Sequence, residues 1–133
     1  MTKENFLDLY KDLCGRLPYG VVCKMWFTGK PESSIVETLK FGGLSGFYCK
    51  NVELKPYLRP MTSMTAEEEK EFLSLKCGLD VPDLSDIRNL VFNTDSIDWL
   101  NEHHFDYRGF IKRGLALEAD EDILTIYKNK ENA

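Results

Sequence analysis

The two histidines of the chain, His103 and His104, are adjacent and are followed by Asp106. An imidazole beside a carboxylate can act as a general base or bind a metal ion. Neighbouring residues on a helix point about 100° apart, so these two rings cannot easily share one ion. We therefore favour a surface or helix-capping role for the pair. A small hydrolase that uses His103 or His104 with Asp106 is an alternative.

Recognised catalytic and metal-binding motifs are absent from the sequence. It contains no G-x-S-x-G turn, no G-x-x-x-x-G-K-[ST] loop and no H-E-x-x-H helix. Its cysteines form no C-x-x-C pair and have no histidine at ligand spacing, which is typical of reduced, packed thiols. They are Cys14, Cys23, Cys49 and Cys77. We expect a protein that is not an enzyme and uses no metal or cofactor, with a zinc site built from distant residues as the open alternative.

Aromatic and basic residues occur together in two stretches, around 55–59 and 99–113. An aromatic ring can stack on a nucleobase while a guanidinium binds phosphate through two hydrogen bonds, so this combination predicts a nucleotide-type ligand. The candidate ligand-binding residues are Tyr57, Arg59, Trp99, His103, Tyr107 and Arg108. Under the structural alternative, the aromatic side chains are core residues with hydrogen-bonded polar ends, and Arg59 or Arg108 ties its loop to an acidic helix.

The charge balance of the chain is acidic, with a formal net charge of -5. Such a balance argues against bulk nucleic-acid binding, which depends on many Lys and Arg residues that neutralise phosphates. The acidic run at 67–71 is most simply a solvated helix start, although it could also mimic phosphate on a partner protein. Because we find neither a secretory signal nor a run of about 18 apolar residues, we expect no membrane partner and a cytoplasmic location.

The first half of the chain predicts one helix and then short strands. Apolar residues recur at three- and four-residue steps between 6 and 17, which predicts a helix that begins near Thr2 and ends at Gly15 and Pro18. Apolar and β-branched segments at 21–27, 35–41 and 44–49, and a fourth through Val52 and Leu54, predict four strands. Because prolines remove backbone donors, we expect sheet pairing to stop at 55–60.

The second half of the chain predicts helices. Thr65 and Glu68 fit a capping box at the start of a helix that would end at Gly78. We predict a loop with one helical turn at 79–93, a helix capped by Thr94 or Asp95, and a shorter helical piece at 107–113. Residues 115–117 and the tail beyond 120 are then expected to pack on the core, whereas 128–133 are expected to fray.

Together these elements predict a single α+β domain over residues 1–133. It would consist of an N-terminal helix, a small antiparallel β-sheet or partial barrel, and then C-terminal helices.

Two parts of the chain are distinctive as strings: LPYGV at 17–21 with KPYLRPMTSMT at 55–65, and DWLNEHHFDYRG at 98–109 with GLALEA at 114–119. They resemble a family of small uncharacterised proteins of Bacteroidales phages and prophages. The resemblance implies a bacterial cytoplasm and a gene that travels with mobile elements. It implies no activity, because that family has none established.

These observations lead to hypotheses of different classes. The first is a non-enzymatic, anti-defence type of binding protein of a phage or mobile element. It would act on host machinery by sequestering a nucleotide-type small molecule or by blocking a host protein. The second is a small structural or assembly protein of a phage particle, which would form a homo-oligomer. The third is the small hydrolase.

Overall fold

The computed structural model describes residues 1–75 and 94–131. Its helices are α1 (Lys3–Arg16), α2 (Phe41–Tyr48), α3 (Ala66–Ser74), α4 (Thr94–Glu102) and α5 (Glu121–Glu131). Short 3-10 turns lie at Leu17–Tyr19 and Met61–Ser63. Its strands are β1 (Val22–Phe27), β2 (Lys30–Thr38), β3 (Val52–Leu58) and β4 (Leu117–Glu118). The predicted α+β class, with an N-terminal helix, a small sheet and then C-terminal helices, is confirmed.

The four strands form one curled sheet in the order β2-β1-β3-β4. Strand β1 lies in the middle and pairs antiparallel with both β2 and β3. Strand β4 adds to β3 in the parallel direction, with Tyr57 opposite Leu117 and Leu58 opposite Glu118. The sheet is therefore antiparallel except at this short last pairing.

Helix α1 follows the sequence prediction closely. The Thr2 hydroxyl accepts a hydrogen bond from the Asn5 N–H at 3.1 Å and caps the helix. Leu9 and Leu13 lie one turn apart and are fully buried in the main core against β1, β3 and α2. The cap and the apolar stripe thus set both the start of α1 and the face that it buries.

The predicted strand at 44–49 is wrong, because this segment belongs to helix α2. Leu44 and Phe47 stand three residues apart and are both buried, as one face of a helix requires. A Cβ on Gly46 would lie 3.0 Å from the Val52 side chain, so α2 packs closely on β3 there. The predicted strand at 35–41 is also displaced, since β2 begins at Lys30 and Phe41 already belongs to α2. A short apolar run cannot be assigned by periodicity alone.

Strand β3 ends within the segment 55–60, where the sequence predicts that sheet pairing stops, but it includes the first proline of that segment. Strand β3 continues to Leu58, and Pro56 lies opposite Cys23 of β1. On its other side β3 pairs with β4 only at Tyr57 and beyond, so Pro56 occupies a position where that ladder requires no N–H.

The predicted start of α3 is confirmed. Thr65 Oγ1 accepts from the Glu68 N–H at 3.1 Å, and Glu68 Oε1 accepts from the Thr65 N–H at 3.0 Å, which completes the capping box. Helix α3 ends at Ser74, earlier than the predicted stop at Gly78. The loop predicted at 79–93 lies outside the described residues. Helix α4 already includes Thr94 and Asp95, and the residue before it is also outside the described part.

Residues 107–113 form turns instead of the predicted helical piece. Gly109 has φ of +73°, a left-handed conformation that interrupts a right-handed helix. The Asp106 carboxylate holds the turns by accepting from the N–H groups of Phe110 at 2.8 Å and Ile111 at 2.9 Å. The expected return to the core is confirmed, since Leu115 and Ala116 are buried. In α5, Ile123 and Tyr127 are buried too, so this part of the tail packs as predicted. The predicted fraying from Lys128 is wrong within the described residues, because α5 continues to Glu131.

Candidate functional site

Ionisable and polar side chains are buried where α1 meets α4 and the segment that follows it. We call this group the buried polar seam, and its members are Asp12, Arg16, Asn101, His104 and Asp106. Arg16 Nε donates to Asp12 Oδ2 at 2.6 Å, and Arg16 Nη2 donates to the Phe105 carbonyl oxygen at 2.7 Å. These contacts compensate the buried charges of Asp12 and Arg16 within the seam.

His104 lies deep in the seam, and its ring stacks on Tyr127 with centroids 3.6 Å apart. Burial lowers the pKa of His104 to about 3, helped by the positive charges of Arg16, Lys130, His103 and Arg59. The imidazole is therefore neutral at physiological pH. Its Nδ1 atom and Nη1 of Arg16 have no hydrogen-bond partner among the described residues.

The seam offers no accessible dyad for the predicted hydrolase. His104 is 2% exposed, and both carboxylate oxygens of Asp106 accept backbone N–H groups. His103 lies against the Trp99 ring, with centroids 4.3 Å apart. The surface role predicted for the histidines is therefore wrong for His104, which is buried, and the Asp106 carboxylate is engaged by the backbone of the turns that follow it.

Arg59 and Trp99 meet around one buried aromatic cluster. The Arg59 guanidinium lies over the Phe105 ring at 4.1 Å and donates to both Glu68 oxygens at 2.8 and 2.7 Å. Trp99 is buried beside Phe105 and donates from Nε1 to Glu71 Oε1 at 3.1 Å. Arg59 thus ties its loop to the acidic helix α3, as the structural alternative expected.

The pKa of Glu68 reports this contact. Burial by itself would raise the pKa of the carboxyl group, but hydrogen bonds from Arg59 and Thr65 outweigh burial and leave it below its ordinary value. Glu68 therefore stays ionised and keeps the Arg59 guanidinium neutralised.

The other predicted ligand residues lie elsewhere. Tyr57 packs against the separate cluster that contains Val22 and Tyr127. Arg108 Nε donates to Asp12 Oδ1 at 3.1 Å, and the Tyr107 hydroxyl donates to Asn101 at 3.0 Å. The structure joins Arg59, Trp99, His103 and Tyr107 around one aromatic cluster. Arg108 lies over the Tyr107 ring at the seam, and Tyr57 lies apart, so the six do not form one site.

A groove of about 770 Å³ lies between the start of α1, the end of α2 and the start of β3, and we call it the α1–α2 groove. None of the six predicted ligand residues lines it. Its lining is mainly apolar, and its main members are Phe6, Leu7, Phe47, Tyr48, Lys50 and Val52. A surface recess of this size and composition is typical of binding sites in proteins.

Aromatic contacts build the floor of the α1–α2 groove. The rings of Phe6 and Phe47 have centroids 4.9 Å apart, and those of Tyr10 and Tyr48 are also 4.9 Å apart. The aromatic faces are fixed by these contacts, yet Tyr48 remains 56% exposed and Leu7 40% exposed. The groove therefore presents ordered apolar side chains to solvent.

Lys50 lines the groove and has an uncommon backbone conformation. Its φ is +64°, in the left-handed region where a non-glycine residue is rare. The Lys50 N–H donates to the Phe47 carbonyl oxygen at 3.0 Å, and its own carbonyl oxygen accepts from Thr28 Oγ1 at 2.8 Å. Its ammonium lies 5.7 Å from the centre of the Phe6 ring. The backbone thus holds this cation beside the groove floor.

The groove is not predictable from the sequence, because the residues on both sides of it fit other roles. The apolar stripe that includes Phe6 is typical of a core face, and the segment that carries Tyr48 fits a strand as well as a helix. A signal was present in the density of aromatic and glycine residues between 41 and 48, which is unusual for an exposed segment. Spacing alone could not show that Tyr48 would stay exposed.

Further chemical features of the described residues are simple. Cys14 and Cys49 are free and exposed, whereas Cys23 is buried, and burial raises its pKa to about 12. The described residues contain no group of three His, Cys, Asp or Glu side chains that could hold a metal ion. None of the described helices is both long and apolar enough to cross a bilayer.

Comparisons with protein-family models, curated proteins and solved structures find no match for the chain.

Proposed function

We propose that this protein is a non-enzymatic binding protein that blocks a partner protein through the α1–α2 groove. The observation that carries the proposal is the exposed aromatic and aliphatic lining of the groove, with Leu7 and Tyr48 at its surface. Apolar recesses of this kind mark interaction sites, because exposed apolar area is stabilised when a partner removes it from water.

The nature of the partner follows from the resemblance to phage and prophage proteins described above. A mobile element gains from inhibiting host machinery, so we propose a host protein as the partner, which is an anti-defence type of role. The blocking mode needs no catalytic residue, only a surface that covers part of the partner.

The sequestration of a nucleotide has less support from the geometry. Glu68 already occupies the Arg59 guanidinium through two hydrogen bonds, and Asp12 binds Arg108. A phosphate would have to displace both carboxylates, and the two proposed stacking residues, Tyr57 and Trp99, belong to different clusters. If nucleotide affinity exists, the double variant Arg59→Ala plus Arg108→Ala must lose it.

Site-specific photo-crosslinking tests the proposal. A photoreactive amino acid replaces Leu7 in one variant and Leu124 in another, in cells of a Bacteroidales host. Leu124 is a matched control, because it is a helical leucine of similar exposure, 38%, that does not line the groove. We expect a specific crosslinked protein from position 7 and not from position 124.

The crosslinked protein is then purified, and its affinity is measured by calorimetry for the unmodified chain, Leu7→Asp and Leu124→Asp. We expect Leu7→Asp to weaken binding at least about a hundredfold and Leu124→Asp to leave it unchanged. Equal affinities of the two variants for the partner would contradict the use of the groove.

A further inference from the structure

We infer that the α1–α2 groove binds an acidic amphipathic segment of the partner, and that Lys50, together with Lys3, selects the charge of that segment. The inference rests on the proposed function and adds the chemistry of the occupant. It goes beyond the groove's apolar character, because an apolar floor by itself does not distinguish an acidic segment from a basic one.

The α1–α2 groove differs in charge from the chain as a whole. Its charged lining consists of Lys3, Lys50 and Glu53. Glu53 Oε2 accepts a hydrogen bond from Trp26 Nε1 at 2.7 Å, so this carboxylate is already oriented by the chain. The groove lining is therefore net positive on a protein whose formal net charge is -5. This local reversal of sign favours a partner segment that carries carboxylates.

Charge and apolar surface are adjacent in the groove. The Lys50 ammonium lies 5.7 Å from the centre of the Phe6 ring, and both residues line the groove. A segment that places an apolar side chain against Phe6 and Tyr48 would bring a neighbouring carboxylate within reach of Lys50. Apolar anchors flanked by charge are the usual pattern of amphipathic segments that bind in grooves.

The backbone of Lys50 is held in a left-handed conformation. A residue with φ of +64° is normally glycine or asparagine, because an L side chain is strained there. Strained positions that keep a costly residue are typical of functional sites. Hydrogen bonds to Phe47 and Thr28 hold the backbone in this conformation, so the ammonium's point of attachment is fixed before binding.

The test uses two labelled peptides of about 16 residues with identical leucine and phenylalanine anchors at helical spacing. One peptide carries glutamates at its polar positions, and its twin carries lysines. Fluorescence anisotropy gives the affinity of each peptide for the full chain. We expect the acidic peptide to bind at least about tenfold more tightly than its twin, with a difference that shrinks at high salt.

Charge reversal then locates the selectivity. In Lys3→Glu plus Lys50→Glu we expect the preference to reverse toward the lysine peptide. The matched control is Lys70→Glu plus Lys112→Glu, which changes the net charge equally at exposed positions outside the groove. The control should keep the original preference. An unreversed preference in the groove variant, or a reversed one in the control, overturns the inference.

Lys50→Gly separates binding from folding. Because glycine adopts a left-handed conformation without strain, we expect the variant to unfold at a higher temperature while it binds the acidic peptide several-fold more weakly. Unchanged affinity for the acidic peptide would overturn the role of Lys50.

The failures of the two proposals are distinguishable. If Leu7→Asp abolishes binding of both peptides and of the crosslinked partner while the lysine variants change no preference, the groove is the binding site and the charge inference is wrong. If Leu7→Asp changes none of these affinities, the proposed function itself is wrong, and the inference falls with it.

Discussion

Helix α1 contributes residues to two regions, one in which ionisable side chains are buried and one in which apolar side chains are exposed. Asp12 and Arg16 enter the buried polar seam, where ionisable groups are removed from water. Phe6 and Leu7 line the α1–α2 groove, where apolar groups face water. Both regions depart from the usual rule that apolar groups are inside and charges outside.

The two regions differ in whether other residues of the chain pair the buried charges or cover the exposed apolar side chains. In the seam, Asp12 receives hydrogen bonds from Arg16 and Arg108, so the charges serve the fold. In the groove, the described residues leave Leu7 40% exposed and Tyr48 56% exposed. A buried charge that is paired within the chain indicates a structural role, whereas exposed apolar side chains that the chain does not cover indicate a binding surface.

The largest expected effect on stability comes from removing a carboxylate from the buried polar seam. Asp12→Ala leaves the Arg16 guanidinium buried without its carboxylate, and we expect the free energy of unfolding to fall by about 3–5 kcal/mol. Chemical denaturation measures this. Asp8→Ala is the matched control, because Asp8 pairs with Arg113 at 3.2 Å on the exposed side of the same helix. A loss above about 1 kcal/mol in this control would contradict the contrast.

The next effect is a pH dependence that belongs to the seam. The pKa of His104 is lowered to about 3 in the folded state, so the unfolded chain binds the proton more readily. Stability from this group is complete above the unfolded pKa near 6.5 and decreases as pH falls toward the folded value. Between pH 6.5 and 4.5 we expect the free energy of unfolding to fall by about 2 kcal/mol, measured by denaturation at each pH.

His104→Asn serves as the comparison variant for this titration. Asparagine tolerates the left-handed backbone of His104, whose φ is +65°, and it does not titrate. The free energy of unfolding should therefore fall less between pH 6.5 and 4.5 in His104→Asn, because the titration of His104 no longer contributes. Parallel pH curves for the two proteins would show that this imidazole is not the source.

A smaller effect concerns stability at the groove. Lys50→Gly relieves the left-handed strain, and we expect it to raise the free energy of unfolding by about 1 kcal/mol. Lys40→Gly is the control, because Lys40 has φ of -120° and no strain to relieve. Denaturation that shows Lys50→Gly to be no more stable than the unmodified chain would remove the strain argument.

The smallest expected effect distinguishes the exposed groove from the core. Leu7→Ala should change the free energy of unfolding by no more than about 0.5 kcal/mol, because the side chain is substantially exposed. Leu9→Ala, two positions along the same helix at a fully buried site, should cost about 2–5 kcal/mol. Thermal or chemical unfolding of the pair checks this. Equal losses would mean that Leu7 is part of the core.

Prediction from sequence succeeded where the signal is local. The cap of α1 at Thr2 and the capping box of Thr65 and Glu68 depend on hydrogen bonds across three residues, so spacing reveals them. The segment 41–48 failed because its apolar run is too short to separate a helix from a buried strand. The predicted binding residues stay predictions, and the structure gives Arg59 and Trp99 acidic partners on α3.

What the sequence by itself determined is the α+β class, the N-terminal helix, strand β1 and the start of α3, because each depends on neighbours within one or two helical turns or on a short alternating run. Only the tertiary structure decided which charges are neutralised and which apolar residues stay exposed. Asp12 and Arg108 are 96 positions apart, and Arg16 and Phe105 are 89 apart. Contacts over such separations leave no periodic trace in a single sequence, so burial, pairing and the groove arise only when the distant segments pack together.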